Sequence, residues 1–311
     1  QRAYTLKVQG FLKRHALAVR KFQSTFPMYI PLRCQLTQDS RAKTHDLEET
    51  VCNFLESKEA KSLLLLGDSG AGKSTFLERF CFRDYDMGQE EEVQASKGGG
   101  GAELKESKTV QGKWQPGQPI PLFVPLPKLK KPLEEAVEEV LREGFSEEEI
   151  KELKKHERFH LFFDAYDELN EWESVYAKNS LESWKVEKMV VTCRAEHVNQ
   201  RSESYEEYFQ TRDAGRRPER GVCCQQMYVS PVLRKEIKEY VGAYVVQRRK
   251  NAKAEPLDEG WGSQEKYWKE VEAIPMLLGV MRTPLTLNLG LEVLRQVVKA
   301  CKGSGVHGEK R

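Results

Sequence analysis

Eight consecutive residues, Gly67-Asp68-Ser69-Gly70-Ala71-Gly72-Lys73-Ser74, have the spacing GxxxxGK[ST]. Glycines at these positions let the backbone turn back, so that successive N–H groups point at one anion. A helix beginning at Lys73 adds about half a positive charge at its N-terminus. Lys73 then reaches the β- and γ-phosphates of a nucleotide, the Ser74 hydroxyl ligates Mg2+, and Thr75 bonds an α-phosphate oxygen. The plain alternative is a tight glycine-rich turn.

Two further groups carry chemistry. Leu161-Phe162-Phe163-Asp164-Ala165-Tyr166-Asp167-Glu168 is an apolar run that ends in acids. A strand of this kind delivers Asp164 to its C-terminal edge, where ligands bind in open α/β sheets. Asp164 is placed to hold Mg2+ through its water shell, and Asp167 or Glu168 to polarise an attacking water. A solvated acidic helix start is the bland alternative, favoured by the helix dipole. Val190-Val191-Thr192-Cys193-Arg194 is another apolar run, ending in an arginine that can present its guanidinium to a γ-phosphate. Alone, Arg194 reads equally as a surface arginine.

Elements that position these residues can be read around them. Ser62-Leu63-Leu64-Leu65-Leu66 is a strand buried on both faces, with a helix following to about Phe82. Residues 88–118 are Glu-rich, then Gly-rich, then polar, and are expected to be a disordered insertion. Ile120 to Leu126 is a strand whose Pro121 and Pro125 argue for an edge position. Pro132 opens a helix with Ala136, Val137, Val140 and Leu141 on its stripe, and Ser146 with Glu149 has capping-box spacing for the next. His160–Asp164, Lys188–Thr192 and Gln226–Val229 complete five strands. The alternation predicts a doubly wound parallel α/β sheet, followed by a small helical domain. The expected division is a helical and extended lead-in at 1–60, a sheet domain at 61–232, a helical domain at 233–302 and a polar tail at 303–311.

Composition excludes several classes. The chain has 311 residues, with 50 Lys and Arg against 48 Asp and Glu. A net charge of +2 is not the broad basic field of a bulk nucleic-acid binder, so no nucleic acid is expected. No stretch approaches 18 apolar residues, so no membrane span is expected either. Seven cysteines without a CxxC pair make neither a disulfide framework nor a zinc site, and reduced thiols point to a cytoplasmic protein.

Together the motifs resemble the NACHT family of signal-transduction NTPases, over about residues 28–300. The ordered set is GDSGAGKSTF, PIPLFVPLPKL, LFFDAYDEL, VVTCR and MYVSPVLRKEIKEYV. Asp164-Ala165-x-Asp167-Glu168 matches the family's acid strand residue by residue, Arg194 matches its sensor arginine, and Arg282-Thr283-Pro284-Leu285 resembles the helical-domain motif whose proline lies against the base. The resemblance implies a P-loop NTPase fold and ATP or ADP bound with Mg2+. It implies slow hydrolysis that times a switch, and self-association of the kind found in innate-immune signalling. Sensor and effector modules are not visible, and the family's winged-helix piece is not expected here. The rival expectations are a turnover ATPase of AAA+ or helicase type, a GTPase, and a scaffold that binds nucleotide without hydrolysis.

Overall fold

The computed structural model describes residues 2–23, 29–39, 41–83, 114–199, 205–211, 224–251 and 261–303. In chain order the elements begin with α1 (Arg2–Gln23), β1 (Arg33–Gln35), β2 (His45–Asp46), α2 (Leu47–Glu56), β3 (Ser62–Leu66) and α3 (Lys73–Cys81). The middle of the chain forms β4 (Ile120–Pro125), α4 (Ala136–Leu141), α5 (Glu147–His156), β5 (Arg158–Asp164), α6 (Val175–Lys178), β6 (Lys185–Cys193), α7 (Ala195–Asn199) and β7 (Gln225–Val229). Four helices close it: α8 (Arg234–Asn251), α9 (Gln264–Ala273), α10 (Leu277–Val280) and α11 (Pro284–Gly303).

One mixed, mostly parallel sheet organises the first part, in the order β2-β1-β7-β3-β6-β5-β4. The five expected strands are all parallel to one another. β1 and β2 were not anticipated; they add antiparallel pairs at one end, beside β7. Three and two residues are too short to show an alternating pattern, and β1 ends on a buried glutamine, Gln35, held by bonds to the Asp39 and Ala42 carbonyls. β4 stands at the opposite end, as its two prolines require, since each lacks an N–H to donate to a ladder.

β3 is buried at every residue because β6 and β7 flank it and helices cover it. Its leucines belong to a core that also takes Val8, Phe11 and Leu12 of α1 and Leu47, Val51 and Phe54 of α2. Residues of α1, β1 and α2 therefore contribute to the core of the sheet. The expected insertion lies outside the described residues as far as 113, but its last five residues do not fit that expectation. Trp114 is buried, its indole N–H donates to the Gln118 carbonyl, and its own carbonyl accepts from Gln9 of α1. An indole body can be buried once its single N–H is satisfied, which a composition count over 88–118 does not register.

Local signals explain the helix ends. Ser146 caps α5 with a complete capping box to Glu149, acids fill the first turn, and Lys154, Lys155 and His156 fill the last. The helix expected from Pro132 starts later, at Ala136, because the Glu134 and Glu135 amides both bond the Lys131 carbonyl in a turn. A second core joins the last four helices, with Ile237, Val241 and Tyr244 of α8, Tyr267 and Val271 of α9, and Leu287, Leu291, Leu294 and Val298 of α11. Ile30 is its one contribution from the stretch before β1 among the described residues. The polar tail from 304 lies outside the described residues.

Candidate functional site

All five parallel strands run in one direction, so β3, β5, β6 and β7 end at the same edge of the sheet. The residues singled out for chemistry meet there. Gly67 to Gly72 leaves β3 and enters α3, with Gly70 and Gly72 at φ +74° and +89°. A side chain is strained in that region of backbone space, and here it would also be crowded. A Cβ on Gly70 would sit 3.0 Å from the Leu285 Cβ, and one on Gly72 would sit 3.3 Å from Leu32 and 3.4 Å from Pro284. Asp68 and Ser69 form the exposed tip of the loop, and Ala71 is buried, its amide closing a turn on the Asp68 carbonyl.

Lys73 is the first residue of α3 and is 9% exposed. Its ammonium folds back over the loop, donating to the carbonyls of Gly67 at 2.7 Å and Asp68 at 3.1 Å. Burial pulls its pKa below the usual lysine value, while the Asp167 carboxylate acts the other way. Ser74 is exposed beside it and Thr75 half-exposed.

β5 ends in Asp164, buried to 7% exposure. The hydroxyl of Thr192, on β6, donates to its Oδ1 at 2.6 Å. The same Thr192 oxygen accepts from the Ala165 amide at 2.8 Å. Thr192 thus ties the two strand ends together. Its mark in the sequence was a polar side chain within the apolar run Val190 to Cys193. Burial pushes the Asp164 carboxyl above the ordinary aspartate range, and the Thr192 and Ser74 hydroxyls and the Lys73 charge oppose that push. The sign for stability follows. An acid whose folded pKa is raised favours the fold at low pH, below its unfolded value, and loses that contribution as pH rises through the folded one. Asp164→Asn is therefore expected to raise the stability of the nucleotide-free protein at neutral pH. The gain should shrink as the pH is lowered toward the aspartate range. Urea melts of both proteins across pH 4–8 check this, and a stability loss at neutral pH contradicts it.

Ala165 takes a left-handed conformation, φ 60°, and a 3-10 turn over Tyr166–Glu168 follows. The Tyr166 hydroxyl anchors the turn, donating to the Glu173 carbonyl and accepting from the Glu173 amide. The turn sends Asp167 inward and Glu168 outward. Asp167 Oδ1 accepts from the Arg194 amide at 2.9 Å, and its Oδ2 lies 2.8 Å from Arg194 Nε. Glu168, half-exposed, is only loosely paired, at 3.8 Å from Arg194 Nη2.

Opposite the loop, the first turn of α11 closes a cleft of about 470 Å3. Gly70 to Thr75 and Pro284 line it, and the Leu285 amide approaches the Gly70 carbonyl at 3.4 Å. Six other lining residues, Tyr29, Ile30, Leu32, Arg79, Tyr240 and Asn288, carry no signal of chemistry in the sequence. The Arg79 guanidinium lies over the Tyr29 ring at 4.3 Å, and the Tyr240 hydroxyl is 3.4 Å from Asn288 Oδ1. They come from four separate stretches, so only the fold brings them together.

A hard divalent cation fits the donors present. Ser74 and Asp164 supply a hydroxyl and a carboxylate side by side, the few protein oxygens that Mg2+ takes when phosphates and water complete its shell. Among the described residues no group of three or more His, Cys, Asp or Glu could hold a metal by itself. Cys34, Cys52, Cys81, Cys193 and Cys224 are not in disulfides. No helix is long and apolar enough to cross a membrane, among the described residues. No protein-family model matches the chain, and no curated protein matches it.

Proposed function

We propose that this chain is a nucleotide-dependent switch of the NACHT type, a P-loop NTPase core that binds ATP or ADP with Mg2+ and hydrolyses ATP slowly. One observation carries the reading. A glycine loop with a buried lysine folded over its carbonyls opens into a cleft whose far wall is the helical region, through Pro284 and Leu285. Phosphates would lie along the loop amides and the α3 N-terminus, with the Lys73 ammonium moving from the loop carbonyls to the β/γ oxygens. The cleft of about 470 Å3 falls within the range of small-molecule and cofactor sites. Ser74 and Asp164 would hold the Mg2+, which supplies neutralisation of phosphate charge. In this reading Glu168 would take a proton from water, and Arg194 would sense a third phosphate.

Because the loop and α11 face each other across the cleft, nucleotide identity would bias the angle between the sheet region and the helical region. A ligand shifts such an equilibrium only by its differential affinity for the two arrangements. Self-association in the ATP-bound arrangement, and sensor and effector partners beyond it, belong to the same proposal.

The test is thermal. After stripping of retained ligand, Mg-ATP or Mg-ADP at roughly 100 times Kd is expected to stabilise the protein by about 2.7 kcal/mol. That corresponds to a rise of several degrees in Tm. Lys73→Ala should remove most of it. A melting curve that neither nucleotide moves would reject nucleotide binding altogether.

A further inference from the structure

Three carboxylates, Asp164, Asp167 and Glu168, reach the same edge, and two of them could take a proton from water. Their surroundings separate them. The side chain of Asp167 is 5% exposed and that of Glu168 50%. Both oxygens of Asp167 go to one residue: Oδ1 to the Arg194 amide and Oδ2 to Arg194 Nε. Holding the amide fixes where the Arg194 side chain leaves the backbone, and holding Nε fixes the direction of its guanidinium. The grip uses one edge of a planar fork and leaves the Nη edge, where among the described residues Glu168 is the acid that approaches, at 3.8 Å. Two parallel N–H groups on that edge match a phosphate group's spacing of oxygens.

We propose that Asp167 is a positioning residue, which aims the Nη edge of Arg194 at an incoming terminal phosphate, and that it is not the group that activates water. This rests on the nucleotide-binding reading above. The turn that begins at left-handed Ala165 is what makes the division. It folds Asp167 across the end of β6 and leaves the next residue facing solvent. Lys73 is the second cation that Asp167 faces, so its loss also unbalances the loop lysine, and the test must read Arg194 itself.

Asp167→Asn keeps an oxygen for the Arg194 amide but turns an N–H2 group toward Nε, donor against donor. In the nucleotide-free protein, the Arg194 Nε–H resonance, slowed against solvent exchange by the ion pair, should be lost in Asp167→Asn and kept in Glu168→Gln. In the stripped protein with nucleotide, the preference for Mg-ATP over Mg-ADP should fall about tenfold or more, the size of one charge-assisted hydrogen bond. Arg194→Ala should show the same fall, and the double variant no further one. Arg194→Lys, which retains the charge without the fork, should reproduce the fall even if Asp167→Asn does not fold. A resonance unchanged by Asp167→Asn would overturn the proposal. So would an intact ATP preference accompanied by a collapsed single-turnover rate, which would make Asp167 the base. A wild-type protein that binds neither nucleotide overturns the functional reading instead, and the resonance still decides whether Asp167 holds Arg194.

Discussion

Glu168→Gln is expected to slow single-turnover ATP hydrolysis by about 10²–10⁴-fold, the usual contribution of a positioned general base. Affinities for Mg-ATP and Mg-ADP should change little. The expectation comes from the contrast at the end of β5. Asp164 is buried under the Thr192 hydroxyl beside Ser74, and Asp167 is enclosed by Arg194. Glu168 alone of the three is half-exposed, with its nearest cation at 3.8 Å. A base needs room for the water it deprotonates. Glutamine preserves size and polarity and removes only the ability to accept a proton, so lost turnover with retained binding isolates that role. A rate within threefold of wild type would return the assignment to other groups.

Leu64→Ala is expected to cost about 3–5 kcal/mol, in the upper part of the range for leucine truncations in packed cores. Leu64 is fully buried on the central strand, paired with Val191 of β6 on one side and Gln226 of β7 on the other. Neither neighbour can collapse into the cavity without breaking a ladder. Typical domains have about 5–15 kcal/mol in total, so the variant should lose a large part of its stability while its glycine loop sequence is intact. Urea unfolding reads this as a lower midpoint with an unchanged slope, whatever the glycine loop binds. A loss below about 1 kcal/mol would mean that β3 is less enclosed than its neighbours imply.

Much of this arrangement is legible in the residues because local chemistry and global position agree. Ser62 to Leu66 has no polar side chain after its first residue, which only a doubly covered strand tolerates, and the GxxxxGK[ST] spacing follows it directly. Pro121 and Pro125 place β4 at an edge for the simple reason that they cannot donate. The capping box of α5 is written in two residues. What is not legible depends on partners far away in sequence. β1 exists because Cys34 and Gln35 meet Val229 and Tyr228 of β7, nearly two hundred residues on. Trp114 is anchored by Gln9. The split between Asp167 and Glu168 needs the left-handed Ala165, a conformation that nothing in the local string Asp-Ala-Tyr-Asp-Glu announces. Tyr29, Arg79, Tyr240 and Asn288 line the cleft only after the helical region has docked.

The strand order has a consequence for how the chain must be made. β3 is flanked by β6 and β7, whose paired residues follow it by about 130 and 160 residues. At the usual rate of synthesis, about 5–20 residues per second, the run Ser62 to Leu66 waits roughly 6–25 s for its first sheet neighbour. A short, uncharged, strongly apolar stretch without proline is the kind that pairs with copies of itself when exposed. During that interval the nascent chain carries an apolar strand with both edges unpaired next to its glycine loop, until Lys185 to Cys193 arrives to pair with it. Codon-level slowing between β3 and β6 would therefore lower soluble yield, whereas slowing after β7 would leave it unchanged.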